Sequence, residues 1–323
     1  MTNVPVFGFF HDVSKCATID DILEQEKDYI GFTVEKVKMK VPIPSKAAPF
    51  FTEDVIHPTE AALIRTDKTG RDAILGSAGV EYGIIQNRQT LEFCSIFQKY
   101  GAKIVSVFAP NFGEKLYVMM KQPDFIDLGP NDKIDAYFCV STTHDGSGAF
   151  RFTPLYLHRH SQLVISVPTS SNLKPIKHSK LVHNQLATAQ RMMGALGSYW
   201  EDYSDNFQAF STTKVTDKNV QMFLGLLVPK DTTRSENIRE RIFDIYKNSG
   251  LCRNLASCKG TLLGAIMAVM ENADHHLTVK KSKLKSEDAA FIHSRIEGSA
   301  SEMKAKSIRL CVKLHEMFKP KES

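Results

Sequence analysis

Between Ala102 and Val167 apolar and polar residues alternate, and turn residues interrupt the alternation at APNFGE, DLGPND and HDGSG. A period of two marks strands that keep one face on a core, and Gly, Pro and Asn mark where the backbone must bend. The stretch therefore predicts an antiparallel meander of four or five strands. Within Lys115 to Gln122, Lys115, Tyr117, Met119 and Lys121 share one face while Leu116, Val118 and Met120 share the other. One face is apolar, the other basic and aromatic. After HDGSG, Phe150, Phe152, Tyr156, His158 and His160 alternate with Arg151, Leu155, Leu157 and Arg159.

Past Pro175 the period lengthens. Val182, Leu186, Ala189, Met193, Leu196, Trp200 and Tyr203 repeat at intervals of three and four, the stripe of a helix from about Ser179 to Asp205 with Ser179 as its cap. Laid on the apolar face of the meander, that helix would leave the polar face open. Ahead of the meander, Thr18–Asp28 predicts a capped helix, Phe32–Val41 a strand ended by Pro42 and Pro44, and Ala61–Arg65 with Asp72–Leu75 a hairpin around TDKTGR. A short strand near Gly79–Gln86 and a helix over Arg88–Tyr100, closed by Gly101, follow. Behind it, helices are expected at about 235–248, 260–276 and 301–318, the last two separated by a lysine-dense linker at 277–288. The fold class is α+β: an antiparallel meander backed by a long helix over residues 1–210, then a helical C-terminal region over 211–323. No internal repeat is visible.

Composition changes this picture little. With 323 residues, 42% hydrophobic and 24% charged, the chain has the apolar content for a real core. No apolar run has the length to cross a bilayer, and the first residues lack the pattern of a secretion signal, so the expected location is cytoplasmic, in a bacterial host cell. The six cysteines are scattered without a C-x-x-C pair, as core or surface thiols would be.

Charge placement changes it more. From Gly146 to Trp200 there is no Asp or Glu, whereas 36 acids in 323 residues would put about six in a window of that length. The window holds Arg151, Arg159, Lys174, Lys177, Lys180 and Arg191 with four histidines. From His276 to the end, eleven Lys and Arg face six acids, a difference of five that equals the whole net charge of +5. Two basic regions in a balanced chain point to a polyanion.

Other chemistry is weakly supported. His158 and His160 sit two apart on a strand, but the candidates for a third ligand (His144, His178 or the Asp274-His275-His276 cluster) follow no metal-binding spacing, and Arg151 and Arg159 would repel a cation. Neither a phosphate loop, a G-x-S-x-G elbow nor an H-E-x-x-H helix is present. The chain is not read as an enzyme, and neither a cofactor nor a metal is expected. The expected interface is a phosphate and base surface: Lys115, Tyr117, Lys121, Arg151, Tyr156, Arg159 and His160 on the sheet, Lys174, Lys177, His178 and Lys180 after it, and Lys280, Lys281, Lys283 and Lys285 in the linker. Cations would hold the backbone while exposed aromatics stack bases.

Five stretches, in order, resemble the phage/plasmid-like family catalogued as domain of unknown function family 932: LIRTDKTGRDAILGSAGVEYGIIQNRQTLEF, STTHDGSGAFRFTPLYLHRHSQL, IKHSKLVHNQLATAQRMMG, GTLLGAIMAVMENADHH and GSASEMKAKSIRLCVKL. They span about residues 60 to 315. The chain departs from the family's pattern at Tyr156, where the family has Arg, at Arg159-His160-Ser161, where it has Cys-Gln-Asn, at Lys177-His178-Ser179, where it has Arg-His-Thr, and at Met267, where it has Asn. At the level of a meander backed by a long helix, the family is distantly similar to phage single-strand annealing proteins. That likeness implies single-stranded DNA binding and annealing in recombination, assembly as a ring or filament, and an associated exonuclease or single-strand binding protein. The alternative reading is a phage or plasmid protein-interaction or anti-defence factor with a basic docking surface.

Overall fold

The alternating stretch forms five consecutive antiparallel strands: β5 (Lys103–Phe108), β6 (Lys115–Asp127), β7 (Lys133–Thr143), β8 (Arg151–His158) and β9 (Val164–Ser166). A two-residue strand, β1 (His11–Asp12), adds to the edge of β5 and completes a six-stranded sheet. In this computed structural model the described residues are 6–44, 46, 52–67, 73–168, 175–176, 200–229, 231–279 and 286–318. The HDGSG turn joins β7 to β8 and places Gly146 at φ +79°, where a side chain would strike the carbonyl of Ser77. Glycine is required there by both backbone angle and space.

Each face of the sheet meets a different set of elements. Leu116, Val118, Met120, Phe138, Val140 and Phe152 pack against α3 (Asn87–Gln98), whose Leu91, Cys94 and Phe97 are fully buried. Further along the same face, Ile134, Ala136 and Tyr156 meet Phe207 and Phe210 of a helix over residues 200–212, here α4. Behind α4 lie α5 (Asp217–Leu227), α6 (Thr233–Asp244) and α7 (Leu262–Glu271), the last two prolonged by single π-helical turns at Ile245–Ser249 and Asn272–His276. Val220, Ile266 and Ile308 extend this core, so the C-terminal helices and the sheet share one interior across residue 210. The expected helix from Ser179 is helical from Trp200 onward, and 179–199 lie outside the described residues.

The opposite face corrects the expectation of an open polar surface. A 3-10 turn at Val6–Phe9 and α8 (Glu287–Ile296) cover its centre: Phe10, Phe291, Ile292 and Ile296 pack on Tyr117, Met119, Cys139, Leu155 and Leu157. Helix α8 begins where the linker was expected to continue. Ser286 caps it, accepting from the Ala289 N–H, and Glu287 and Asp288 complement its N-terminal dipole. It leads into α9 (Ser299–Phe318).

A second sheet, β2 (Thr33–Pro44), β3 (Thr52–Thr66) and β4 (Ala73–Gly79), carries the predicted hairpin. Its first two strands run well past the predicted bounds as an arm exposed along most of its length. Val37, Val41, Ile43 and Val55 are exposed there, Val41 opposite Val55, and Ile74 on β4 is 76% exposed. Residues 80–86 form a turn and coil rather than the expected strand. Lys36 donates to the carbonyls of Val80 and Tyr82, which satisfies that stretch without a ladder. The helix expected at Thr18 splits into α1 (Ile19–Gln25), with Thr18 and Asp21 in a capping box, and α2 (Lys27–Ile30).

Candidate nucleic-acid interface

The covering layer of Phe10 and α8 stops short of one end of the sheet. There the register aligns Lys103 of β5 with Lys121 of β6 and Tyr137 of β7, and Phe125 with Asp135 and then Leu157. Lys103 and Arg159 are exposed, and Phe125 is 46% exposed although it belongs to a strand. A bulge between Lys121 and Phe125, containing Pro123, bends β6 at this point.

Phe125 is held between two cations. Lys133 Nζ and Arg159 Cζ each lie 4.9 Å from its ring centroid, and Lys121 Nζ lies 5.8 Å from the ring of Tyr137. Asp135 organises the group. It accepts from Arg159 Nε at 2.9 Å and from Lys121 Nζ at 3.1 Å. Burial alone would raise the Asp135 carboxyl, but the hydrogen bonds from Arg159 and Lys121 outweigh it and hold the group below the usual carboxylate range. Lys133 pairs with Asp127 at 3.3 Å, and Asp124 is exposed in the bulge. The end of the sheet thus presents a partly exposed ring flanked by cations that are fixed in place but keep hydrogen-bonding capacity toward water.

The expected site residues separate into three groups. Lys121, Arg159 and the exposed His160 belong to this open end. Arg151, at the start of β8, is exposed at the other end of the strand. Tyr117 and Tyr156 are corrected: at 1% and 2% exposure they lie in the cores under Phe10 and against Phe207, and neither offers a ring to a base. Lys115 is corrected as well. It is paired with the buried Glu297 and lies 4.7 Å over Tyr117, so its charge is spent inside the protein. Lys174, Lys177, His178, Lys180, Lys280, Lys281, Lys283 and Lys285 lie outside the described residues.

Burial also revises the C-terminal charge. Lys304 is fully buried in an ion pair with Asp274, and Arg295, 2% exposed, donates to the carbonyls of Asp274 and Leu277. Two of the eleven cations counted in that region are therefore structural. The acid-free window is balanced from outside itself, by Asp132 on His158 and Asp135 on Arg159.

Sequence reasoning missed Phe125 and Lys133. The alternation that assigns Lys115 to Lys121 continues in phase to Phe125 if it is carried through Pro123, so the signal was present in KQPDFID.

Elsewhere, a cleft of about 1610 Å³ opens between α1, α2, the start of α3, β3 and residues 108–112. Five carboxylates (Asp20, Glu24, Asp28, Asp67, Asp288) and three cations (Lys27, Arg65, Arg88) line it, a balance that repels a polyanion. His158 uses both ring nitrogens, toward Asp132 and Ser161. Among the described residues no group of three or more His, Cys, Asp or Glu is placed to hold a metal ion, and no helix is long and apolar enough to cross a membrane.

No curated protein and no solved structure matches the chain. A family model does match, over residues 74–294, more than half of the chain and a span that runs from β4 through the open end of the sheet into α8; the chain belongs to the family described as Domain of unknown function (DUF932).

Proposed function

We propose that the protein binds single-stranded DNA along the open end of its sheet and anneals complementary strands without covalent chemistry, as an element of phage or plasmid recombination in the cytoplasm of a bacterial host. The observation that carries this reading is Phe125, exposed between Lys133 and Arg159. A stacking ring beside phosphate-holding cations is the minimal unit for binding a strand whatever its sequence, worth about 1–3 kcal/mol per stacked base. The acid-free window supplies Lys174, Lys177 and Lys180 a short distance along the chain from Arg159, and the linker supplies Lys280 to Lys285. One such unit binds weakly. A ring or filament repeats it along a strand, so modest contacts sum. The arm of β2 and β3 suits assembly, because Val37, Val41, Ile43 and Val55 expose apolar surface that a neighbouring copy would cover.

The test is the rate at which two labelled complementary oligonucleotides pair, with and without protein, at low and physiological salt and without ATP or metal. Accelerated pairing that weakens as salt rises, and that is lost in the Phe125→Ala, Lys133→Ala double variant, supports the reading. Absence of binding at low salt contradicts it, since electrostatic attraction is strongest there.

The same arm supports a second reading, a phage or plasmid factor that docks on a foreign protein. Light scattering separates the two. A defined oligomer that dissociates in a Val41→Glu variant favours self-assembly, and a monomer that retains its exposed arm favours a protein partner.

A further inference from the structure

His158 ends β8 inside the protein, with the Cys252 thiol beside it. Its Nε2 meets Asp132 Oδ1 at 2.8 Å, and its Nδ1 meets Ser161 (Oγ at 2.7 Å, N at 3.2 Å) and Cys252 Sγ at 3.7 Å. The other Asp132 oxygen accepts from Ser257 Oγ. Cys252 and Cys258 lie six positions apart in the irregular loop between the π-helical turn at Ile245–Ser249 and α7, and the Cys258 thiol adjoins that of Cys252. Cys252 is 4% exposed, between the surface residues Leu251 and Arg253.

This is the arrangement that activates a thiol: a sulfur on an imidazole whose far nitrogen is held by a carboxylate. The environment is consistent with it. The adjoining Cys258 thiol, followed by His158, outweighs burial and draws the Cys252 thiol down into the thiolate range, while Cys258 itself is pushed up. Burial would lower His158, but Asp132 and Cys252 outweigh it and raise its pKa to about 9. The titratable and charged groups facing the pair are Asp132 and His160 from the sheet side, with Arg253 and Glu271 from the helical side. The remaining thiols lack such partners. Cys94, Cys139 and Cys311 are buried and raised by that burial, and Cys16, half-buried, is raised by burial and then by Asp21, Glu26 and Asp12.

We propose that Cys252 is a peroxide-reactive thiol and Cys258 its resolving partner, so that the loop before α7 closes into a disulfide on oxidation. The Cys252 thiolate attacks one oxygen of a hydroperoxide; the S–O bond forms, the O–O bond breaks, and the departing oxygen takes the His158 proton as water or alcohol. Cys258 sulfur then attacks the sulfenic sulfur of Cys252; the S–S bond forms, the S–O bond breaks, and the hydroxyl leaves as water with the Cys258 proton. Two thiols lose two electrons, and the peroxide gains them.

The experiment is hydrogen peroxide titration of the reduced full-length protein at pH 6, with dimedone present or absent, read by peptide mass spectrometry. Cys16 is the internal control, being the more exposed thiol. The expected result is a Cys252–Cys258 disulfide forming at least about tenfold faster than Cys16 oxidises. In a Cys258→Ser variant, dimedone is expected on Cys252 instead. A His158→Gln variant that stays folded by circular dichroism is expected to lose the advantage over Cys16. Oxidation of Cys16 before Cys252, or scattered oxidation without the 252–258 link, overturns the proposal, and both readouts need only the wild-type protein.

Discussion

The centre and the open end of one sheet face share a single sequence pattern and meet opposite fates. Tyr117 and Met119 occupy the same face of β6 as Lys121 and Phe125. The first pair is sealed beneath Phe10, Ile292 and Ile296, while the second is left to solvent and to cations. Alternation along a strand says which residues share a face. It does not say which part of that face will be covered, because the cover is built by Phe7–Phe10 and by α8, whose positions in the chain are more than a hundred residues away on either side. The contrast also sorts the lysines: Lys115 under the cover neutralises Glu297, and Lys121 at the open end remains half-exposed.

The comparison breaks most visibly on stability. Tyr117→Ala is expected to lower the free energy of unfolding by about 3–5 kcal/mol, as for other large aromatic truncations in a core. Phe125→Ala should cost no more than about 1 kcal/mol while weakening single-strand binding by about 5- to 100-fold. Denaturant titration and fluorescence anisotropy on the same two variants check both halves.

The two carboxylates provide the next contrast. Glu297 is buried with Lys115 and Ser141, so Glu297→Gln should cost about 3–5 kcal/mol at neutral pH. Asp135→Asn, whose cationic partners reach water, should cost no more than about 1 kcal/mol. Burial would raise Glu297, but Lys115 outweighs it and holds the group below its ordinary value. A carboxyl lowered on folding stabilises above its unfolded pKa of about 4.5, and that contribution is lost as pH falls through the folded value. The gap between wild type and Glu297→Gln should therefore close in acid and be full at pH 7. A gap that persisted unchanged to pH 2 would show that the loss is one of packing.

The smallest effect is electrostatic. Each phosphate contact contributes about 0.7 to the slope of log affinity against log salt for a single strand. Lys133→Ala and Arg159→Ala should each reduce the slope by about that amount. Lys115→Ala, if it folds, should leave it unchanged, because Lys115 faces Glu297.

Much of the fold was legible in the sequence and less of the site. The period of two between Ala102 and Val167 specifies the run of antiparallel strands β5 to β9, since each strand must bury one alternate set, although β6 continues to Asp127, past the expected end at Gln122. Gly101 and Gly146 mark strand boundaries through backbone chemistry, and Thr18 marks the start of α1 through its cap. Helix α8 was also legible in principle, because Ser286 followed by Glu287 and Asp288 is a cap signal, but the preceding lysines masked it. What local pattern cannot carry is the pairing of charges distant in sequence. Asp135 with Arg159, Glu297 with Lys115, and Asp274 with Lys304 join residues 24, 182 and 30 positions apart; the last two take their lysines off the surface where counting along the chain would place them, and the first fixes Arg159 while leaving it exposed.

The measurement that bears most directly on the central claim is photocrosslinking of the full-length protein to a single-stranded oligonucleotide carrying 5-bromodeoxyuridine, mapped by peptide mass spectrometry. Crosslinks are expected at Phe125 or Tyr137, at the open end of the sheet. Crosslinks confined to the acid-lined cleft or to the arm, with none at the open end, would contradict the assignment of Phe125, Lys133 and Arg159 as the binding surface.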